Sequence, residues 1–253
     1  MSSTIVFAQD VFPVLPKAKR FIDKLEVFAG PNLSFNYGNK FIEIFKDQNV
    51  INKRLLKAGY AFGIGAYHPL SNRLDLNVRL QYEQKGTRSE VNTPTYPDGN
   101  RDITYSDYSY RYLTILALPQ LVIGRKKRIV LSLGSYYSRI KAIDGNGKTY
   151  DTNGTYYSEG SYEGRYFDDL RDDGTRQGFS WMPYLSSIEE YDIGIVASVG
   201  YRVPIKRNHT INIQLQDSFG LKNINKNNPY DLEEKNHSVT LSIAYILKLP
   251  SKK

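Results

Sequence analysis

Residues 74–83 alternate with a period of two. Leu74, Leu76, Val78, Leu80 and Tyr82 share one face, and Asp75, Asn77, Arg79, Gln81 and Glu83 share the other. Such alternation predicts a β-strand with one apolar and one polar side. Three more segments repeat it. Ile193, Ile195, Ala197, Val199, Tyr201 and Val203 stand against Gly194, Val196, Ser198, Gly200 and Arg202. Ile211, Ile213, Leu215 and Phe219 stand against Asn212, Gln214, Gln216 and Ser218. Val239, Leu241, Ile243, Tyr245 and Leu247 stand against Ser238, Thr240, Ser242 and Ala244. Weaker alternation marks 25–35, 60–67 and 129–134. Residues 105–123 also read as a strand, but the apolar run 113–118 hides its faces, and Pro119 suggests a bulge. The total is eight strands, each about long enough to cross a bilayer at a tilt.

The connections between these strands alternate strictly between long and short. Long segments at about 39–58, 91–104, 144–190 and 222–236 are separated by tight turns at 69–73, 124–128 and 204–209. Short turns at one end and long loops at the other are the pattern of an outer-membrane barrel. The expected fold is therefore all-β: an eight-stranded antiparallel transmembrane barrel with short periplasmic turns and long extracellular loops, spanning 25–249. Residues 10–24, with Pro13 and Pro16, read as a leader to the first strand. Residues 1–9 fit either the remnant of a signal peptide or an ordinary disordered terminus.

Composition narrows the class further. No apolar run approaches the ~20 residues of a spanning helix, and mean hydropathy is −0.48. A barrel escapes that test, because its strands are half polar. The chain has no cysteine, which excludes disulfides and thiolate metal sites, and it has 21 tyrosines against one tryptophan. Tyrosine suits both strands and membrane interfaces. The net charge of +8 concentrates in the tight turns, at Arg73, Arg125, Lys126, Lys127, Arg128, Lys206 and Arg207. Loop 144–190 is acidic and aromatic instead. Basic turns gain favourable electrostatics near anionic headgroups, although turns carry Lys and Arg in any case.

The polar face holds Glu26, Asp75, Arg79, Glu83, Asp192 and Arg202. So many charges cannot fill a dry core unpaired. Inside a narrow barrel they can pair across the lumen, with Gly63, Gly65, Gly134, Gly194 and Gly200 leaving room. Glu26, Asp75, Arg79, Glu83 and Arg202 are the expected lumen network. An eight-stranded interior is filled by side chains, so no open pore is expected.

Several short segments resemble the PorT-like outer-membrane β-barrel family of Bacteroidota. They are Gly30-Pro31-Asn32-Leu33-Ser34-Phe35, Leu80-Gln81-Tyr82-Glu83-Gln84-Lys85-Gly86, Leu118-Pro119, residues 194–201, and Gly220-Leu221 with Asn223-Ile224. The resemblance covers about 25–249. It implies an eight-stranded outer-membrane barrel without enzymatic activity. The expected role is structural or adhesive, or, on the resemblance, that of an accessory subunit of a secretion or barrel-assembly machine. Asp217 departs from the pattern. It falls on the lipid face, where the family tends to place an aromatic. Either a bulge reverses the register there, or Asp217 meets a partner.

Candidate chemistry is sparse. His68, His209 and His237 fit no metal-ligand spacing. Asp144-Gly145-Asn146-Gly147-Lys148 starts like a calcium loop but puts Lys148 at a ligand position and lacks the closing Glu. No nucleotide or hydrolase fingerprint occurs. Neither a metal nor a cofactor is expected. Tyr and Arg interleave at 108–112, which suits interfacial tyrosines better than nucleic-acid stacking. His237 and Ser238 sit where some eight-stranded barrels carry acyl-transfer residues. Loop 144–190 carries Tyr166, Phe167, Trp181 and Tyr184 among glycines and acids. These, with Asp217, are the candidate contacts to another outer-membrane or periplasmic protein, alongside the surrounding lipid. The competing expectation is a soluble lipocalin-like barrel that binds an apolar ligand, in which the apolar face would point inward.

Overall fold

The computed structural model describes residues 21–38, 51–94, 101–124, 126–151, 156–165, 188–224 and 233–250. Its strands are β1 (Lys24–Tyr37), β2 (Ile51–Leu55), β3 (Lys57–Pro69), β4 (Leu74–Pro94), β5 (Arg101–Ile123), β6 (Ile129–Asp151), β7 (Tyr156–Arg165), β8 (Tyr191–Lys206), β9 (His209–Gly220) and β10 (Lys235–Lys248). Eight of them close a ring in the order β1-β3-β4-β5-β6-β8-β9-β10, and every pairing is antiparallel. The other two, β2 and β7, pair only with the far ends of β4 and β6.

The stagger of the ring follows from its pairings. Leu25 lies beside Ala66, then Val78, Ala117, Ser135, Ile195, Phe219, His237 and finally Phe35 on the starting strand. One circuit thus climbs from residue 25 to residue 35. With a rise of ~3.3 Å and a spacing of ~4.7 Å, that stagger over eight strands sets a tilt of about 41°, within the range that closed barrels adopt. At this tilt, Leu25 to Phe35 spans about 25 Å along the axis, the height of an outer-membrane apolar band.

The alternation places each face as the sequence predicts. Val27, Leu33, Ile64, Val78, Leu80, Ile195, Leu215 and Leu241 point outward and are exposed, whereas Glu26, Asp75, Arg79, Glu83, Asp192 and Arg202 point inward and are buried. A soluble barrel with an apolar interior is therefore ruled out. In β5 the ambiguous run resolves with Leu116 and Leu118 inward, packed on Tyr136 and Val196, and Ile115 outward.

Four expectations need correction. The segment 39–58 is not all connection, since it holds β2 at Ile51–Leu55 and the start of β3 at Lys57. Pro119 makes no bulge, since the register is the same at Ala117–Ser135 and Gln120–Ser132; the shift falls at Arg111/Tyr112 instead. The segment 91–104 is mostly strand, because β4 and β5 stay paired out to Pro94–Arg101. Loop 144–190 likewise begins as strand, with β6 running to Asp151 and folding back through β7. The reason is common to both: Thr, Tyr, Ser and Gly tracts without apolar alternation still make ladders when a neighbouring strand supplies the backbone partners.

Candidate functional site

The lumen is a stack of ion pairs built on the inward positions of β1, β4, β8 and β9. Deepest toward the short turns, Asp75 accepts from Lys24 Nζ at 2.7 Å, with Arg202 Nη1 3.6 Å away. Arg202 also donates to Gln120 Oε1 at 2.8 Å. Above it, Glu26 accepts from Arg79 Nε and Tyr67 Oη, both at 2.5 Å, and from Asn77 Nδ2 at 2.8 Å. Arg79 reaches across the lumen to Gln214 Oε1 at 2.7 Å and stacks over the Phe28 ring. The Glu26 carboxylate occupies the space where Gly65 has no side chain. Higher still, Glu83 accepts from Lys85 Nζ at 2.9 Å and Thr114 Oγ1 at 2.7 Å. Lys85 sits 4.6 Å from the Tyr136 ring centroid.

Glu26, Asp75, Arg79, Glu83 and Arg202 all lie on the inner face, in three tiers rather than one network. The sequence reading left out Lys85 and Tyr67. Both follow the alternation, Lys85 two residues beyond Glu83 and Tyr67 two beyond Gly65, so the signal was present.

Above the tiers, Tyr110, Tyr112, Ile140, Ile143 and Ile188 form a buried apolar cluster at the outer end of β5 and β6. Ile188 is held there as the returning chain bonds Glu189 N to Ile224 O at 2.7 Å. The tyrosines of 108–112 are therefore divided: Tyr110 and Tyr112 are buried and serve neither as an interfacial belt nor as a stacking platform. With ion pairs filling the lumen of an eight-stranded ring, conduction is expected to be negligible. Planar-bilayer recordings should show no steady single-size steps, and reproducible steps from purified protein would refute the filled lumen.

The outer surface carries an apolar belt with aromatic margins. Tyr60, Phe62 and Tyr82 form one cluster toward the loop end, and Tyr137 stacks on Tyr191 at 6.0 Å. Tyr201 and Tyr245 lie toward the turn end, with His209 bonded to the Tyr245 hydroxyl. Such a belt between aromatic girdles has no use in water and is what a bilayer requires. The protein is a transmembrane outer-membrane-type barrel.

Two rim positions settle open alternatives. Asp217 keeps its register and points outward, and its Oδ1 lies 2.6 Å from His237 Nε2. It thus meets a partner within its own chain. His237 packs between Phe219, at 4.1 Å, and Phe35, at 4.7 Å. Ser238 is buried on the opposite side of the wall, so His237 and Ser238 cannot act as a catalytic pair. Tyr166, Phe167, Trp181 and Tyr184 lie outside the described residues.

Beyond the belt, β2-β4-β5-β6-β7 continue as a five-stranded outer sheet. Residues 86–94 of β4 extend it by roughly 25 Å along the strand. It is braced by Asp107, which bonds Lys57 and Arg88. Partial burial opposes ionisation of that carboxyl, but the two cations outweigh burial and hold its pKa below the usual value. A depressed acid stabilises the fold above its unfolded pKa, near 4, and loses that effect as pH falls through its lower folded value. Protease cleavage of the outer sheet should therefore rise as pH drops below about 4, and Asp107→Asn should remove the dependence; an unchanged profile would show the brace to be unimportant.

No protein-family model matches the chain, and no curated protein matches it. Among solved structures it is similar to Neisserial surface protein A, with a TM-score of 0.38 at 11% identity over 89% of this chain and 97% of that one. It is similar to Ail, the attachment invasion locus protein of Yersinia pestis, with a TM-score of 0.35 at 10% identity over 89% and 99%. It is also similar to the outer membrane protein OprG from Pseudomonas aeruginosa, with a TM-score of 0.37 at 11% identity over 90% and 97%. The fold assignment rests on the closed ring and its two faces rather than on these likenesses.

Proposed function

We propose that this protein is a non-enzymatic integral outer-membrane barrel that works through contacts at its outer end. Its role is structural or adhesive, or that of an accessory subunit in an outer-membrane secretion or assembly machine of the PorT-like kind. The observation that carries this reading is the outer sheet. A barrel whose lumen is filled by ion pairs has little use for transport, yet β4, β5 and β6 run well past the belt and recruit β2 and β7. Ordered structure outside the bilayer, added to a closed wall, is best explained as a surface for a partner. Loop 144–190 adds tyrosines and a tryptophan, which give large contact area at low entropic cost.

The test is a deletion of residues 156–186 bridged by a short Gly/Ser linker, followed by co-purification from native membranes in mild detergent. The β6–β8 pairing, Ile129 with Tyr201 through Arg139 with Tyr191, is untouched, so the barrel should still fold. Any outer-face partner should be lost. A photo-crosslinker at exposed Arg88 should trap that partner, and one at exposed Lys206 should not. Full partner retention after the deletion, or crosslinking only from Lys206, would move the working surface to the periplasmic turns.

A further inference from the structure

Of the four buried lumen carboxylates, three have a cation: Glu26 has Arg79, Asp75 has Lys24, and Glu83 has Lys85. The fourth, Asp192, is fully buried and has no ion-pair partner within 4.0 Å among the described residues. Its Oδ2 accepts from Tyr136 Oη at 2.8 Å and from Asn236 Nδ2 at 3.0 Å. Its Oδ1 has no hydrogen-bond partner among the described residues.

That free oxygen is not alone. Asn236 Oδ1, Asn36 Oδ1, Ser238 Oγ, Thr240 Oγ1 and Asn32 Oδ1 are also buried without a partner. They line the same inner face of the β1–β10 seam: Asn36 faces Asn236 beside Asp192, whereas Asn32 faces Thr240 four residues further along, about 13 Å away at the rise of a strand. The amide orientations are set by donation elsewhere. Asn236 Nδ2 goes to Tyr112 Oη and Asp192, and Asn32 Nδ2 goes to the Gln84 carbonyl. In Asn236 and Asn32 the amide N–H groups are used in holding the wall and the oxygens are left over, whereas Asn36 has neither amide atom bonded among the described residues. Space for them comes from Gly220, where a Cβ would stand 3.1 Å from Asp192 Oδ1 and 2.9 Å from the Asn236 carbonyl. Glu83 with Lys85, and Arg54, which bonds the Asn36 carbonyl and lies 3.9 Å from Glu234, complete the charged surroundings. Glu83 and Asp192 share the one cation Lys85, and Arg54 offsets Glu234, which leaves this chamber with one more carboxylate than cation.

We propose that this upper chamber binds a single hard cation, Ca²⁺ or Na⁺, through Asp192 Oδ1 and the neighbouring amide oxygens of Asn236 and Asn36, with water completing its shell. A carboxylate beside neutral oxygen ligands suits calcium, which takes 6–8 oxygens in flexible geometry. Sodium has the same preference for oxygen. The cation sits against the one buried lumen carboxylate that has no ion-pair partner within 4.0 Å among the described residues, and it joins β8, β10 and β1 near the outer mouth. The chamber lies apart from the outer sheet, so the proposal does not depend on the partner-binding reading.

The purified full chain, refolded in detergent after chelation, is titrated with CaCl₂ or NaCl. Choline chloride at matched ionic strength is the control, and thermal unfolding and calorimetry are the readouts. A saturable rise in Tm of several degrees with one of the two salts is expected, together with a single binding isotherm. Asp192→Asn should abolish both. Asn36→Ala is the second variant. Neither amide atom of Asn36 has a partner in the wall, so this variant should fold as wild type and weaken binding at least tenfold. Three outcomes would overturn the proposal: no saturable response to either salt, which leaves the chamber to water; an equal response in Asp192→Asn; or wild-type affinity in Asn36→Ala.

Discussion

Replacing Arg79 by Met should cost about 3–5 kcal/mol of unfolding free energy, the usual penalty for stripping one partner from a buried ion pair. Arg79 is 1% and Glu26 0% exposed at the side chain, and the two are joined at 2.5 Å. Without the guanidinium, Glu26 keeps only Tyr67 and Asn77 as donors, and Gln214 loses its partner across the lumen. The double variant Glu26→Gln/Arg79→Met should recover most of the loss, because a neutral amide beside a thioether carries no uncompensated charge. Urea unfolding in lipid vesicles measures both. A loss below about 1 kcal/mol in the single variant would mean that water reaches the pair and screens it, as at exposed ion pairs.

Val78→Arg should cost about 2–4 kcal/mol, because it places a cation near the bilayer midplane. Val78 is 45% exposed on the outer face and lies next to Ala66 and Ala117, well inside the belt. Ile129→Arg, at the turn end of β6 and equally exposed, should cost only about 0–1 kcal/mol, since the penalty falls off toward the interfaces. The difference between the two sites is the informative quantity. Equal costs at both depths would show that the outer face does not see hydrocarbon.

The alternation of 74–83 was enough to place Arg79 inside and Val78 outside, because a period of two assigns every side chain once one face is known. The identity of its partners was not legible. Arg79 meets Gln214, 135 positions along the chain, and nothing local in either strand announces that they face each other across a lumen. Leu116 and Leu118 were ambiguous because an apolar run has no period. They turn inward only because Tyr136 and Val196 offer them an apolar patch there. The strand β7 was missed because a tract of Tyr, Ser, Glu and Gly carries no face to recognise. Asp217 was correctly placed on the outer face, but its His237 partner lies on the next strand, and only the register of β9 on β10 brings the two together.

The seam of the ring joins β1 to β10, the first and last strands of the barrel, with Lys24 opposite Lys248. Every other wall pairing links strands that are neighbours in the ring's chain order, so seven of the eight joints can form as local hairpins while the chain is still being delivered. The eighth requires contacts 198 to 224 positions apart, and the loop-closure entropy of such contacts slows folding. Until it forms, two strands with unpaired backbone and one apolar face each stand open, which is the configuration most prone to pairing with the wrong chain. Insertion should therefore be timed by the arrival of residues 235–248. A chain cut before them has no closed form to reach, however complete its other seven strands.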